Sequence, residues 1–115
     1  MGLIDETGGT GMPPPQDYLG TSVTKWHGTV PSRQLSELVQ ALSGRVRPAW
    51  WRLEGQERDG LASVQVTMHV YWRQPSHRSV RQHVSLVRRD LVGRLEAKTD
   101  ARFDAEPVHA EFLYA

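Results

Sequence analysis

The sequence predicts an α+β domain in which two amphipathic helices pack on one face of a four-stranded antiparallel sheet. Three observations carry this expectation. Leu61–Arg73 alternates Val64, Val66, Met68, Val70 and Trp72 with Ser63, Gln65, Thr67, His69, Tyr71 and Arg73, the two-residue period of a strand buried on one side. A parallel strand covered on both faces would read as apolar throughout. Leu35, Leu38, Val39 and Leu42 recur at the spacing that lines one face of a helix, and Val80, Val84, Val87, Leu91 and Leu95 do the same further on, with Arg78, Arg81 and Arg89 outside the apolar arc.

Residues 1–20 read as a flexible Gly/Pro-rich arm, because Gly8-Gly9-Thr10-Gly11 runs into Met12-Pro13-Pro14-Pro15 and little of it can enter a core. A single domain is expected over 21–115. Its first strand spans 21–30, where Val23, Trp26 and Val30 lie among threonines. Pro31-Ser32 offers a helix start, with the Ser32 hydroxyl free to accept a backbone N–H, and Gly44 a left-handed stop. The segment around Trp50-Trp51-Arg52-Leu53 favours a strand, and two adjacent tryptophans on a strand point to opposite faces. Asp59-Gly60 suits a tight hairpin, since both residues tolerate positive φ. Pro75-Ser76 repeats the helix-start device ahead of a second helix over about 77–95. Its three valines are weak helix formers, so packing on the sheet must hold it. The alternation over 108–114 closes the chain with a last strand.

Strand, helix, strand, strand, helix, strand is the split βαβ order of the ferredoxin-like plan. Without the first strand, the remaining α-β-β-α-β unit resembles a small ring-building or KH-like module.

The chain has 115 residues, no cysteine, and 14 basic against 13 acidic side chains. That length suits one core and leaves no room for two catalytic domains. Without cysteine there is no disulfide scaffold, thiolate nucleophile or cysteine-based metal site. The near-zero charge hides three blocks: residues 1–20 carry −3, residues 21–95 carry 12 bases against 5 acids, and residues 96–115 carry −3. A basic middle flanked by acidic ends can attract an anionic partner, or let one subunit's end meet another's middle. No run approaches the roughly 20 apolar residues of a membrane helix, and 1–20 lacks the basic start of a secretory signal, so a cytoplasmic protein is expected.

Phosphate loops, dinucleotide fingerprints and serine nucleophile elbows are absent from the sequence, and no cofactor is expected. Of the five histidines, His77 and His83 lie on different sides of a helix, and no metal-binding His spacing occurs. Three surfaces remain. Trp50, Trp51 and Arg52 form a candidate interface, tryptophan with arginine being a favoured interface combination. His69, Tyr71 and Arg73, joined by His109 and Glu111 if the outward rows coincide, form a candidate polar sheet face suited to acid–base work or base stacking. Arg78, Arg81, Arg88 and Arg89 give the second helix a candidate nucleic-acid surface, although RNA-recognition motifs are missing and Gly8 to Gly11 is the sole Gly-x-x-Gly match.

The run Val64-Gln65-Val66-Thr67-Met68-His69-Val70-Tyr71, followed by Pro75-Ser76 and the Val80-Val84-Val87-Leu91 helix, resembles the alkaline shock protein family over about 32–114. Members often carry Thr-Gly after that helix, where this chain has Thr99-Asp100, and the Trp50-Trp51 pair is unusual among them. The resemblance implies a non-enzymatic envelope-stress or scaffolding protein that associates with partners near the membrane, and it supplies no catalytic residues. The function expected is a structural or protein-interaction module, self-assembling or bound to another protein and peripheral to a membrane only through that partner. A nucleic-acid-binding protein and a small cofactor-free enzyme are the alternatives.

Overall fold

The computed structural model describes residues 2–46 and 48–115, with residue 45 described by its backbone alone. Among these residues the chain is α+β, an open antiparallel sheet with helices on one face. The strands are β1 (Gly2–Gly9), β2 (Tyr18–Pro31), β3 (Trp50–Arg58), β4 (Leu61–Arg73), β5 (Arg102–Phe103) and β6 (His109–Tyr114). They lie in the order β1-β3-β4-β2-β5, and β6 joins the outer side of β2 beside β5. The sheet is therefore wider than the four strands expected.

Much of that extra width comes from the segment expected to be a flexible arm. Gly2–Gly9 pairs with β3 in continuous antiparallel register, from Gly2 opposite Glu57 to Gly9 opposite Trp50. Local composition conceals this strand because its stability comes from the ladder that the free edge of β3 offers. Gly8 also matters, since a Cβ there would stand 2.7 Å from the Trp51 ring, and only a glycine lets the indole lie over β1. β2 likewise starts three residues before the expected position.

The β3–β4 hairpin turns through Asp59 (φ 54°) and Gly60 (φ 82°), as the Asp-Gly pair predicts. Two helical segments follow the strands. The first opens with a 3₁₀ turn, Ser32–Gln34, continues as α1 (Leu35–Ala41), and ends in a π turn, Leu42–Val46. Ser32 does not cap it. Its hydroxyl is buried with no hydrogen-bond partner among the described residues, and the 3₁₀ turn takes the place of a capped α-helical start. Gly44 lies inside the π turn rather than providing a left-handed stop.

The second helical segment comprises α2 (Val80–Val87), a π turn over Arg88–Val92, and α3 (Gly93–Lys98). It begins at Ser79, not at Ser76. Ser79 accepts from the Gln82 N–H at 3.2 Å while the Gln82 side chain accepts from the Ser79 N–H at 2.8 Å, a reciprocal cap. The π turn adds a residue to the winding and shifts the apolar register. Val92 is consequently fully buried while Leu91 packs at the core margin, and Val80 at the exposed start is 37% accessible.

The core lies between these helices and the inner sheet face. It joins Trp26, Trp51, Leu53, Val64, Val66 and Met68 from the sheet to Leu38, Leu42, Val87, Val92 and Leu95 from the helices. No helix among the described residues is long and apolar enough to cross a membrane.

Candidate functional site

The adjacent tryptophans separate as strand geometry requires. Trp51 faces the helices and is 1% exposed, whereas Trp50 faces the helix-free side and is 39% exposed. Arg52, on the same side as Trp50, points across to β1, where its guanidinium donates to both oxygens of Asp5 at 3.1 and 3.2 Å. The expected Trp50, Trp51 and Arg52 interface thus has one member in the core, one engaged with a carboxylate and one open to a partner.

Cross-strand register fixes the helix-free face. Trp50 lies opposite His69, His69 opposite Val23, and Val23 opposite Glu111, which sets four side chains in a row across the sheet. The Trp50 ring meets His69 edge-on at 4.8 Å. In the next row Tyr71 lies opposite Thr21, and Thr21 opposite Leu113. Tyr18 closes this end, its ring 5.4 Å from that of Tyr71 and its hydroxyl bonded to Thr21. The outward rows of β4 and β6 therefore coincide, and His69, Tyr71, His109 and Glu111 share one face.

Sharing a face does not make them an acid–base constellation. Val23, only 8% exposed, stands between His69 and Glu111. The Glu111 carboxylate instead approaches His109 at 3.4 Å, and Arg73 at the strand end pairs with Asp17 at 3.4 Å. Burial holds the His69 pKa below its ordinary value, and the charge of Glu111 only partly opposes this. A neutral imidazole beside an indole, a valine and a tyrosine belongs to an apolar contact surface.

The four arginines of the second helical segment divide in two. Arg88 is committed to the fold: it donates to both Glu96 oxygens at 3.0 and 3.2 Å and to the Phe103 and Asp104 carbonyls, each at 3.1 Å, and its guanidinium lies 6.0 Å from the centre of the Trp26 ring. Arg89 bonds its neighbour Asp90 at 2.8 Å. Arg78 and Arg81 are exposed around the start of α2.

A polar pair that the sequence pattern does not advertise links Ser76 Oγ to His83 Nε2 at 2.8 Å. His83 is 2% exposed, lies between Trp72 and Phe112, and has an Nδ1 with no hydrogen-bond partner among the described residues. The donor in this bond depends on the imidazole tautomer, and in either one the contact ties the loop ahead of α2 to the helix. Its only sequence signal was the seven-residue spacing of Ser76 and His83 across the helix start, which is not specific.

Among the described residues no cluster of three or more His, Asp or Glu side chains is arranged to hold a metal ion. No family model, curated protein or solved structure matches this chain.

Proposed function

We propose that this chain is a non-enzymatic structural or protein-interaction module that holds a protein partner against the helix-free face of its sheet, a second copy being the first partner to test. One observation carries the reading: Trp50, His69 and Tyr71 form an aromatic patch over the buried Val23 on the side that no helix covers. Large aromatic anchors with a mixed-charge rim suit protein contacts. The rim here carries Lys25, Arg52, Glu54 and Glu111. Supporting the ferredoxin-like plan, β2, α1, β3, β4, α2 and β6 follow one another with β2 central between β4 and β6. An alkaline-shock-like scaffold in the cytoplasm, reaching a membrane only through its partner, agrees with this reading.

Light scattering over a range of concentrations tests it, with Trp50→Asp as the probe because Trp51 belongs to the core. The expected result is a mass above the monomer that falls in the variant. A wild-type assembly whose mass is indifferent to Trp50→Asp overturns assembly through this face.

A further inference from the structure

Beyond that face, we infer that the two lateral sides of the molecule are complementary and join copies head to tail, the start of α2 in one copy docking into a groove between β1 and α1 of the next. The groove has a volume of about 560 Å³. Its floor is apolar, from Ile4, Leu35, Val39 and Leu53, and Glu6 and Glu57 supply acidic groups along it. The opposite side of the molecule carries the complementary charge. Arg81 precedes Arg88 by two helical turns and so lies on the same stripe of α2. Arg88 reaches the carbonyls of Phe103 and Asp104, next to the β5 and β6 edge, so Arg81 projects on that side too. Arg78 and the half-exposed Val80 flank it. An apolar groove with acids meets an apolar helix start with bases.

The sheet edges favour the same arrangement. β1 and β6 are the outer strands on the two sides and run in the same direction, because each step β1-β3-β4-β2-β6 is antiparallel. A copy displaced sideways without inversion therefore brings its β1 alongside β6 as a parallel pair. β1 stands level with residues 23–30 of β2, and β6 with residues 20–25, so their centres differ by about four residues, or about 13 Å. That stagger also carries the groove at Ile4 and Glu6 toward the end of the sheet where His83 anchors α2 on Trp72 and Phe112. Pairing of two β1 edges is disfavoured: the antiparallel registers of longest overlap set Asp5 or Glu6 opposite itself or each other. The contact is thus between unlike surfaces, and it propagates into rings or filaments.

Two charge-reversed chains test the inference: Glu6→Lys with Glu57→Lys, which makes the groove basic, and Arg78→Glu with Arg81→Glu, which makes the helix start acidic. Circular dichroism verifies that each folds. At low ionic strength the wild-type mass should grow with concentration and fall as salt is added, each variant alone should lose that salt-sensitive growth, and their mixture should regain it, because the basic helix of one chain meets the acidic groove of the other and the acidic helix of the second meets the basic groove of the first. A wild-type mass that does not respond to salt overturns the inference, as does a mixture that shows no more growth than its components. Variants that assemble like wild type while Trp50→Asp does not would also overturn it and leave the open-face reading standing. Salt-sensitive capture of an unrelated oligonucleotide through Arg78 and Arg81, with no self-association, would assign the basic side to nucleic acid instead.

Discussion

The imidazole of His83 lies nearly parallel to the ring of Phe112, their centres 4.8 Å apart and their planes 21° from each other. Trp72 closes the other side at 4.3 Å. Through this stack α2 meets both β4 and the edge strand β6, so a titratable group holds two elements together.

Burial, reinforced by the charge of Arg78, holds the pKa of His83 below its ordinary value of about 6.5. The unfolded chain then takes up its proton first as pH falls. Stability is full above the unfolded value and declines as pH drops below it, until the folded pKa is reached. His69, also lowered by burial, adds to the same window. The expected outcome is a thermal midpoint that falls between neutral and mildly acidic pH, with a shallower fall in His83→Phe. An identical pH profile in the variant would remove His83 from this role.

Arg88 and Glu96 are only 25% and 21% exposed, and the Glu96 carboxylate also accepts from the Phe103 N–H at 2.9 Å. Burial pushes the Glu96 pKa up, but the Arg88 and Phe103 hydrogen bonds, together with the charges of Arg88 and Arg102, leave it low overall. Removing Arg88 strands that carboxylate and releases the β5 connection. Arg88→Ala should lower unfolding free energy in urea by about 2 to 4 kcal/mol, whereas Arg81→Ala should stay within about 0.5 kcal/mol.

Trp50 and Trp51 should separate in the same assay. Trp51→Ala empties core volume and is expected to cost about 3 to 5 kcal/mol. Trp50→Ala removes a half-exposed ring and should cost less than about 1 kcal/mol. Equal losses would contradict the opposite facing of the two rings.

Gly8 should be intolerant of bulk. Gly8→Leu forces its side chain into the Trp51 ring, so β1 should leave the edge of β3 while the rest of the sheet persists. Hydrogen exchange reads this as lost protection across Gly2–Gly9 with β2 and β4 still protected. Retained protection in β1 would show that Trp51 can move aside.

The strongest local patterns survived folding almost unchanged. The two-residue alternation of Leu61–Arg73, the Asp59-Gly60 turn and the Leu35, Leu38, Leu42 face are short-range features whose physics lies within a few residues of chain. The separation of Trp50 from Trp51 was equally legible, because a strand leaves neighbours no other choice. The helix starts were less so. Ser32, Ser76 and Ser79 are chemically alike, and only the Gln82 side chain in its reciprocal position makes Ser79 the cap.

The partners of the arginines were not legible either. Arg78, Arg81, Arg88 and Arg89 form one basic cluster on paper, yet Arg88 is withdrawn into the fold by Glu96 and two carbonyls from the chain around β5. Sequence by itself determined the α+β class, the half-buried strand and the charge asymmetry of its three blocks, since periodicity and composition are properties of the chain. Tertiary structure decided that an apparent leader becomes an edge strand, that His69, Val23 and Glu111 share a row, and that an acidic groove and a basic helix start fall on opposite flanks. Each of those depends on a pairing between distant segments, and the free energy of such a pairing belongs to the two surfaces together.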